Sequence, residues 1–261
     1  MKIQLVSFPV YSRLTRDKVY ERIELIAKIL NESSADFVMF SEHVLKDLTD
    51  LRVIRNLINR RSVSAFIELN ESEGLNGNRM YLLQDGEWTY IDSQIFAKSR
   101  DANETNIEYL VHEIDGKFFT MRRQFKVAGK KFMVIHCGEN NILKGSSGIA
   151  EFRLKKRPDL EERFEKRLND VDIVLNPVHT KWGYFSKFLT RIRKFSENGR
   201  YCFSSSQMEG SQLENAIKSP GHNTTHIAMH NSEIIDPIST DSTEVVNAGK
   251  EQVLIQTYEI D

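Results

Sequence analysis

The chain is poor in the residues that mark several classes of protein. Two cysteines in 261 residues are too few for a disulfide framework, so both are read as thiols in a reducing compartment. Five prolines and 13 glycines leave no Pro- or Gly-rich linker and no low-complexity tract. No apolar run approaches the length needed to span a bilayer. The opening MKIQLVSFPVYSR, interrupted by Gln4 and Pro9, holds too short an apolar stretch for a secretory signal. These absences predict a cytoplasmic protein. An excess of either charge is also lacking. The 36 basic and 37 acidic side chains give a net charge of -1, which argues against nucleic-acid or membrane partners. The basic segment KFLTRIRKF, Lys187 to Phe195, is therefore read as a helix with a solvated basic face.

What is present is a strand and helix alternation. IQLVSF alternates like a strand, and TRDKVYERIELIAKIL places Val19, Ile23, Ile26, Ala27 and Leu30 at helical spacing behind a Thr15 cap. DFVMFSE reads as a short buried strand ending in polar residues, VLKDLTDLRVIRNLINRR as a second helix and SVSAFIEL as a third strand. NRMYLLQDGEWTYIDSQIFAK folds into a hairpin at Asp-Gly, and FFTMRRQFKVAGKKFMVIHC turns at VAGK. RPDLEERFEKRL is expected as a helix with Asp159 at its cap and Glu162 three residues later. VDIVLNP is expected as a strand stopped by Pro177, GYFSKFLTRIRKFSEN as a helix ending at Gly199, and YCFSSSQ as a strand. The C-terminal part, with NTTHIAMHNSEIIDP and EQVLIQTYEI, shows strands and little helical signal. One α/β domain over residues 1–261, helices outside and sheet inside, is the economical arrangement.

Strand ends are where such domains carry chemistry, and three polar residues follow apolar strand runs: Glu42, Lys98 and Cys137. Together they supply a base, a cation and a nucleophile. A thiol needs a neighbouring base or positive charge to become a thiolate, and Glu42, after the apolar FVMF, is placed for a raised pKa. Lys98 and the Gly138 N–H can hold an oxyanion. Cys202, in RYCFSSS, has no base in its motif and reads as packing. GSSG at 145–148 is read as a connecting loop or as a pocket rim or lid. His222, His226 and His230 recur every four residues, but on a strand such positions lie ~13 Å apart, too far to share a metal ion, so no metal site is expected.

FVMFSEHVL, IFAKSR and FMVIHCGEN resemble the glutamate, lysine and cysteine motifs of the nitrilase, or carbon-nitrogen hydrolase, superfamily, in that chain order. VDIVLNPVHT, RIRKFSENGRYCFSSSQ and HNSEIIDP extend the resemblance over most of the chain. It implies a four-layer α-β-β-α sandwich and a homodimer or larger homo-oligomer. It also implies a cofactor-independent hydrolase of non-peptide carbon-nitrogen bonds, an amidase or carbamoyl hydrolase. The alternative is a catalytically silent member that binds a ligand or partner. By the same resemblance Glu42, Lys98 and Cys137 are catalytic. A second glutamate is expected at Glu113, with Glu108 and Glu104 as the other candidates. Ser41 stands where the family commonly has proline, and Gly138-Glu139 where it has an aromatic and an acidic residue. The expected substrate contacts are His43, Glu139, Asn140, His179 and Trp182.

Overall fold

The computed structural model describes residues 1–10, 15–70, 78–95, 102, 105, 107–117, 121–146, 148–178, 185–209, 212–222, 224–245 and 251–261. Its first half holds β1 (Lys2–Ser7), α1 (Arg16–Glu32), β2 (Phe37–Phe40), α2 (Leu48–Leu57), β3 (Ser64–Asn70), β4 (Asn78–Gln84), β5 (Glu87–Ser93) and α3 (Ile107–Lys117). Next come β6 (Gln124–Val127), β7 (Lys130–Val134), β8 (Leu143–Ser146), β9 (Ile149–Phe152), α4 (Pro158–Asn169), β10 (Ile173–Val178) and α5 (Phe185–Phe195). The remainder is β11 (Tyr201–Ser206), α6 (Gln212–Lys218), β12 (His226–His230), β13 (Glu233–Ile234), β14 (Ser239–Val245) and β15 (Glu251–Glu259).

The strands form two large sheets, ordered β14-β15-β1-β2-β3-β4-β5 and β13-β12-β11-β10-β7-β6, and a separate β8-β9 hairpin. Each large sheet has a parallel centre, β1-β2-β3 in one and β7-β10-β11 in the other. Period-two alternation sorts their side chains into layers. Phe37 and Met39 of β2, Phe132 and Val134 of β7, and Ile173 and Leu175 of β10 share one apolar layer between the sheets. Val38 and Phe40 face outward, onto Ile23, Ile26 and Leu30 of α1 and Leu51 and Ile54 of α2. On the far side Met133, Val174 and Cys202 meet Phe164 of α4 and Phe188 and Ile192 of α5. The result is the expected α-β-β-α sandwich. Burying each large apolar side chain contributes about 1.5–3 kcal/mol against chain entropy.

Local signals held in most places. Thr15 caps α1 by accepting the Lys18 N–H. The two hairpin turns place Asp85-Gly86 and Ala128-Gly129 at positive φ, the backbone that a two-residue turn between twisted strands requires. The second helix starts later than predicted because Asp47 and Asp50 form a capping box at its N-terminus, which leaves Val44 and Leu45 buried ahead of it. Asp159 is not the cap of α4. Pro158 takes the first helical position, where its missing N–H costs nothing.

Pro177 does not stop its strand either, and β10 runs through to Val178. The Leu175 carbonyl accepts the Ile135 N–H from the β7 side, so Pro177, two residues on, faces that same side. The β7 pairing has ended by then, so no ladder bond is lost. Gly145 and Ser146 of GSSG end β8 rather than forming a plain connector, Ser147 lies outside the described residues, and the short helix α6 had no counterpart in the sequence reading.

Candidate active site

The parallel centres of the two sheets deliver Glu42 and Cys137 to one place. Glu42 lies just past β2 and Cys137 just past β7, and the Cys137 N–H donates to Glu42 Oε1 at 3.2 Å. Cys137 is half-buried and free of any disulfide. It starts a 3-10 turn, Gly138–Ile142, so the Gly138 N–H belongs to the amides that a helical turn leaves without an internal acceptor.

Two devices fix the segment that carries Glu42. Gln207, just beyond β11, donates to the Glu42 carbonyl at 2.8 Å and to that of His43 at 3.3 Å. Buried Arg22 of α1 donates to the carbonyls of Val44 and Pro9 at 3.1 and 2.7 Å. Between them His43 adopts φ 56, a left-handed conformation uncommon outside glycine, and it turns the chain immediately after the carboxylate.

Glu42 is fully buried and belongs to a chain of ionisable groups. His136 Nδ1 lies 3.3 Å from Glu42 Oε1, and His136 Nε2 lies 2.7 Å from Glu68 Oε2. His43 Nε2 lies 3.3 Å from Glu68 Oε1. Burial, then the charges of Glu68 and Cys137, push the Glu42 carboxyl well above the ordinary glutamate range, and the Cys137 N–H only partly offsets them. Burial pushes Glu68 up as well, but His136 and His43 outweigh it and hold that carboxyl below its ordinary value. The pair is thus split, one carboxyl poised to exchange a proton and the other held ionised. Glu42, Glu68 and His136 offer three ligand atoms within 4.8 Å of one another, a spacing a cation could use. The 2.7 Å contact already gives Glu68 an imidazole neighbour within the protein, and the cluster is a buried carboxyl–imidazole network.

A pH profile tests this network. Since the folded value of Glu42 is raised, its base form fills only above that value, and kcat/KM should fall as pH drops through it. Glu68→Gln removes a negative charge that holds Glu42 up, so the acid limb should move to lower pH. An unmoved limb would separate Glu68 from the function of Glu42.

Glu139 and Asn140, expected as substrate contacts, are buried and engaged within the protein. Glu139 has no exposed surface, and both its oxygens are engaged. Oε1 accepts the Ile95 N–H at 2.8 Å, and Oε2 accepts Arg123 Nη1 at 2.5 Å and the His136 N–H at 2.8 Å. Arg123, also fully buried, reaches Asp92 and the Ser93 carbonyl. Burial raises the Glu139 carboxyl, but Arg123 outweighs it and the net direction is down. This clamp ties the Cys137 elbow to the chain leaving β5 at Ile95, three positions before Lys98. Asn140 exchanges two amide hydrogen bonds with Asn176, each 3.0 Å. His43, also expected as a substrate contact, is buried beside Glu68.

Lys98, Glu104, His179 and Trp182 lie outside the described residues. Glu108 is exposed and Glu113 half-buried on α3. Cys202 is fully buried and its thiol is pushed up by that burial, as expected of packing. His226 lies between the sheets, 2.7 Å from Ser7 Oγ and 3.1 Å from Gln256 Oε1, while His230 stacks on Tyr201. The sequence reading missed Glu68, His136 and Arg123. Two signals were available: an acidic residue in the apolar run SAFIEL and a histidine directly before the cysteine.

Two facing sheets with helices outside, and a cysteine and a buried carboxylate meeting at their parallel strand ends, define the architecture: the chain has the nitrilase-superfamily fold. Solved structures show this likeness over nearly the whole chain. A mutant of an amidase of that superfamily from Nesterenkonia matches at 11% identity with TM-score 0.55, over 99% of this chain and 90% of that one. A CN-hydrolase superfamily protein from Xanthomonas campestris, with an arsenic adduct in its active site, matches at 12% identity with TM-score 0.54, over 99% and 91%. A variant of the Nesterenkonia amidase with the acetamide moiety of fluoroacetamide bound covalently at its active-site cysteine matches at 12% identity with TM-score 0.53, over 99% and 90%. No protein-family model matches the chain, and no curated protein matches it by sequence. No helix among the described residues is long and apolar enough to cross a membrane.

Proposed function

We propose that the protein hydrolyses carbon-nitrogen bonds of small non-peptide amides or carbamoyl compounds through a thioester on Cys137. The observation that carries this reading is that the Cys137 backbone N–H donates to the buried Glu42 carboxylate at 3.2 Å, which sets the cysteine beside that base. Glu42 takes the thiol proton, and the sulfur attacks the amide carbon. The Gly138 N–H and Lys98 stabilise the oxyanion. Glu42 returns the proton to the departing amine as the carbon-nitrogen bond breaks and the thioester forms. Water, deprotonated by Glu42 with Glu113 as its partner, then attacks the thioester. The acid leaves, and the proton on Glu42 passes back to sulfur. The Nesterenkonia amidase with its active-site cysteine adduct supports the reading by analogy of fold. The apolar layer that Ile3 and Tyr258 share with Phe132 and Ala228 supports residues 1–261 acting as one unit. A homodimer in the cytoplasm completes the proposal.

Intact mass after incubation with pools of primary amides and carbamoyl compounds tests it. The expected result is an acyl adduct mapped to Cys137, absent from Glu42→Ala and Lys98→Ala proteins. No adduct, together with a Cys137 inert to alkylation at pH 6 to 7, would establish the silent-binder reading instead.

A further inference from the structure

Beside the Cys137 elbow, the β8–β9 hairpin packs directly on the backbone of α5. Gly145 makes this contact possible, since a Cβ there would stand 2.6 Å from the Lys187 carbonyl oxygen. The close approach brings Arg191 of α5 and Arg153, which follows β9, onto one residue of the elbow, Asn141. Arg191 Nη1 donates to Asn141 Oδ1 at 3.1 Å, and Arg153 Nε donates to the Asn141 carbonyl at 2.7 Å. Asn141 Nδ2 in turn donates to the Gly138 carbonyl at 2.9 Å. The two guanidiniums are thus coupled by hydrogen bonds to the residue next to the nucleophile.

Both arginines are partly buried, and among the described residues neither is paired with a carboxylate. Arg191 Nε is buried with no acceptor. Lys194, on the same helix as Arg191, does have acidic partners, Glu165 and Glu197 at 3.0 and 2.9 Å. Burial and then the neighbouring Arg153 lower Arg191 to about 10, with Cys137 pulling the other way. Two like charges drawn partly out of water without a counter-ion are costly, and an anion placed between them relieves the cost.

We propose that Arg153 and Arg191 form a carboxylate-binding subsite beside Cys137, and that the substrate is an amide or carbamoyl compound carrying a carboxylate at its far end. This rests on the hydrolase reading above and names the substrate class for that site. The arginine fork suits bidentate capture of a carboxylate, and binding energy there would hold the scissile carbon against the thiol.

The test compares kcat/KM for monoamides of four- and five-carbon dicarboxylic acids and for N-carbamoyl amino acids with kcat/KM for uncharged amides of matched length. Wild type should prefer the anionic series. The anionic-to-neutral ratio should fall about 10- to 100-fold in Arg191→Met and in Arg153→Met, the scale of one lost charged hydrogen-bond pair. Arg191→Lys should recover part of it. A wild-type preference for neutral amides, or a ratio unmoved in all three variants, would overturn the proposal.

If no amide is turned over, the hydrolase reading fails separately. Succinate binding to Cys137→Ala protein, measured by calorimetry, then decides the subsite. Binding that Arg191→Met or Arg153→Met weakens supports it, and no binding, or binding indifferent to both, removes it.

Discussion

Cys137→Ala protein should lose turnover by a factor on the order of 10⁴–10⁶, the scale seen when a nucleophile that acts as part of a unit is removed. Its Tm should stay close to that of wild type. The thiol is half-buried at a strand end rather than central to a core layer, and its truncation leaves the Glu42 carboxylate still accepting the backbone N–H of residue 137. Steady-state kinetics with thermal melting checks both halves of the expectation. Retained activity in purified Cys137→Ala protein would remove the thioester mechanism. Cys202, fully buried among Met133, Val174 and Met229, cannot substitute as nucleophile, and Cys202→Ala should cost stability rather than the chemical step.

The second large effect is expected on stability. Arg123→Met should destabilise the fold by about 3–5 kcal/mol, because it strands the buried Glu139 carboxylate and the largely buried Asp92 carboxylate without their cation. For a chain of this size each kcal/mol moves Tm by about 2–4 °C, so a fall on the order of 10 °C is expected in a melting experiment. The loss should reach the site as well. Glu139 holds the His136 N–H on one side of Cys137 and the Ile95 N–H on the chain leading to Lys98. A loosened clamp therefore misplaces the Cys137 elbow relative to the end of β5, and kcat should drop by more than the unfolded fraction accounts for. A Tm within a few degrees of wild type would mean that Arg123 is not the counter-ion of this clamp.

The order of elements was legible because each short segment carried its own pattern. FVMF and KFMVIHC announced buried strands, Thr15 announced a helix start, and Asp85-Gly86 a hairpin. Those signals are local, since they depend on neighbours two to four positions apart. Glu42 and Cys137 were legible for a related reason: each stands two residues past the end of an apolar run, where a strand must leave the core. Local rules failed where a distant partner changed their meaning. Pro177 sits within a strand because β7 has already turned away from it. Glu139 looked like a pocket residue beside the nucleophile, yet Arg123, 16 positions upstream, draws it into the interior.

Some features only the tertiary structure could decide. Glu68 stands in an apolar strand run with nothing in its own segment to suggest a partner. It becomes part of the site because β3 lies beside β2 in one sheet, while β7 brings His136 across from the other. Arg153 and Arg191 belong to different elements and meet at Asn141 because Gly145 lets a hairpin abut a helix backbone. The sequence by itself determined which residues must be buried and which could carry chemistry, because hydrophobic period and residue type are properties of the chain. The pairing of charges in the interior was decided by the packing of two sheets, since Coulomb energy depends on distance in space and on exclusion of water, neither of which is written in sequence separation.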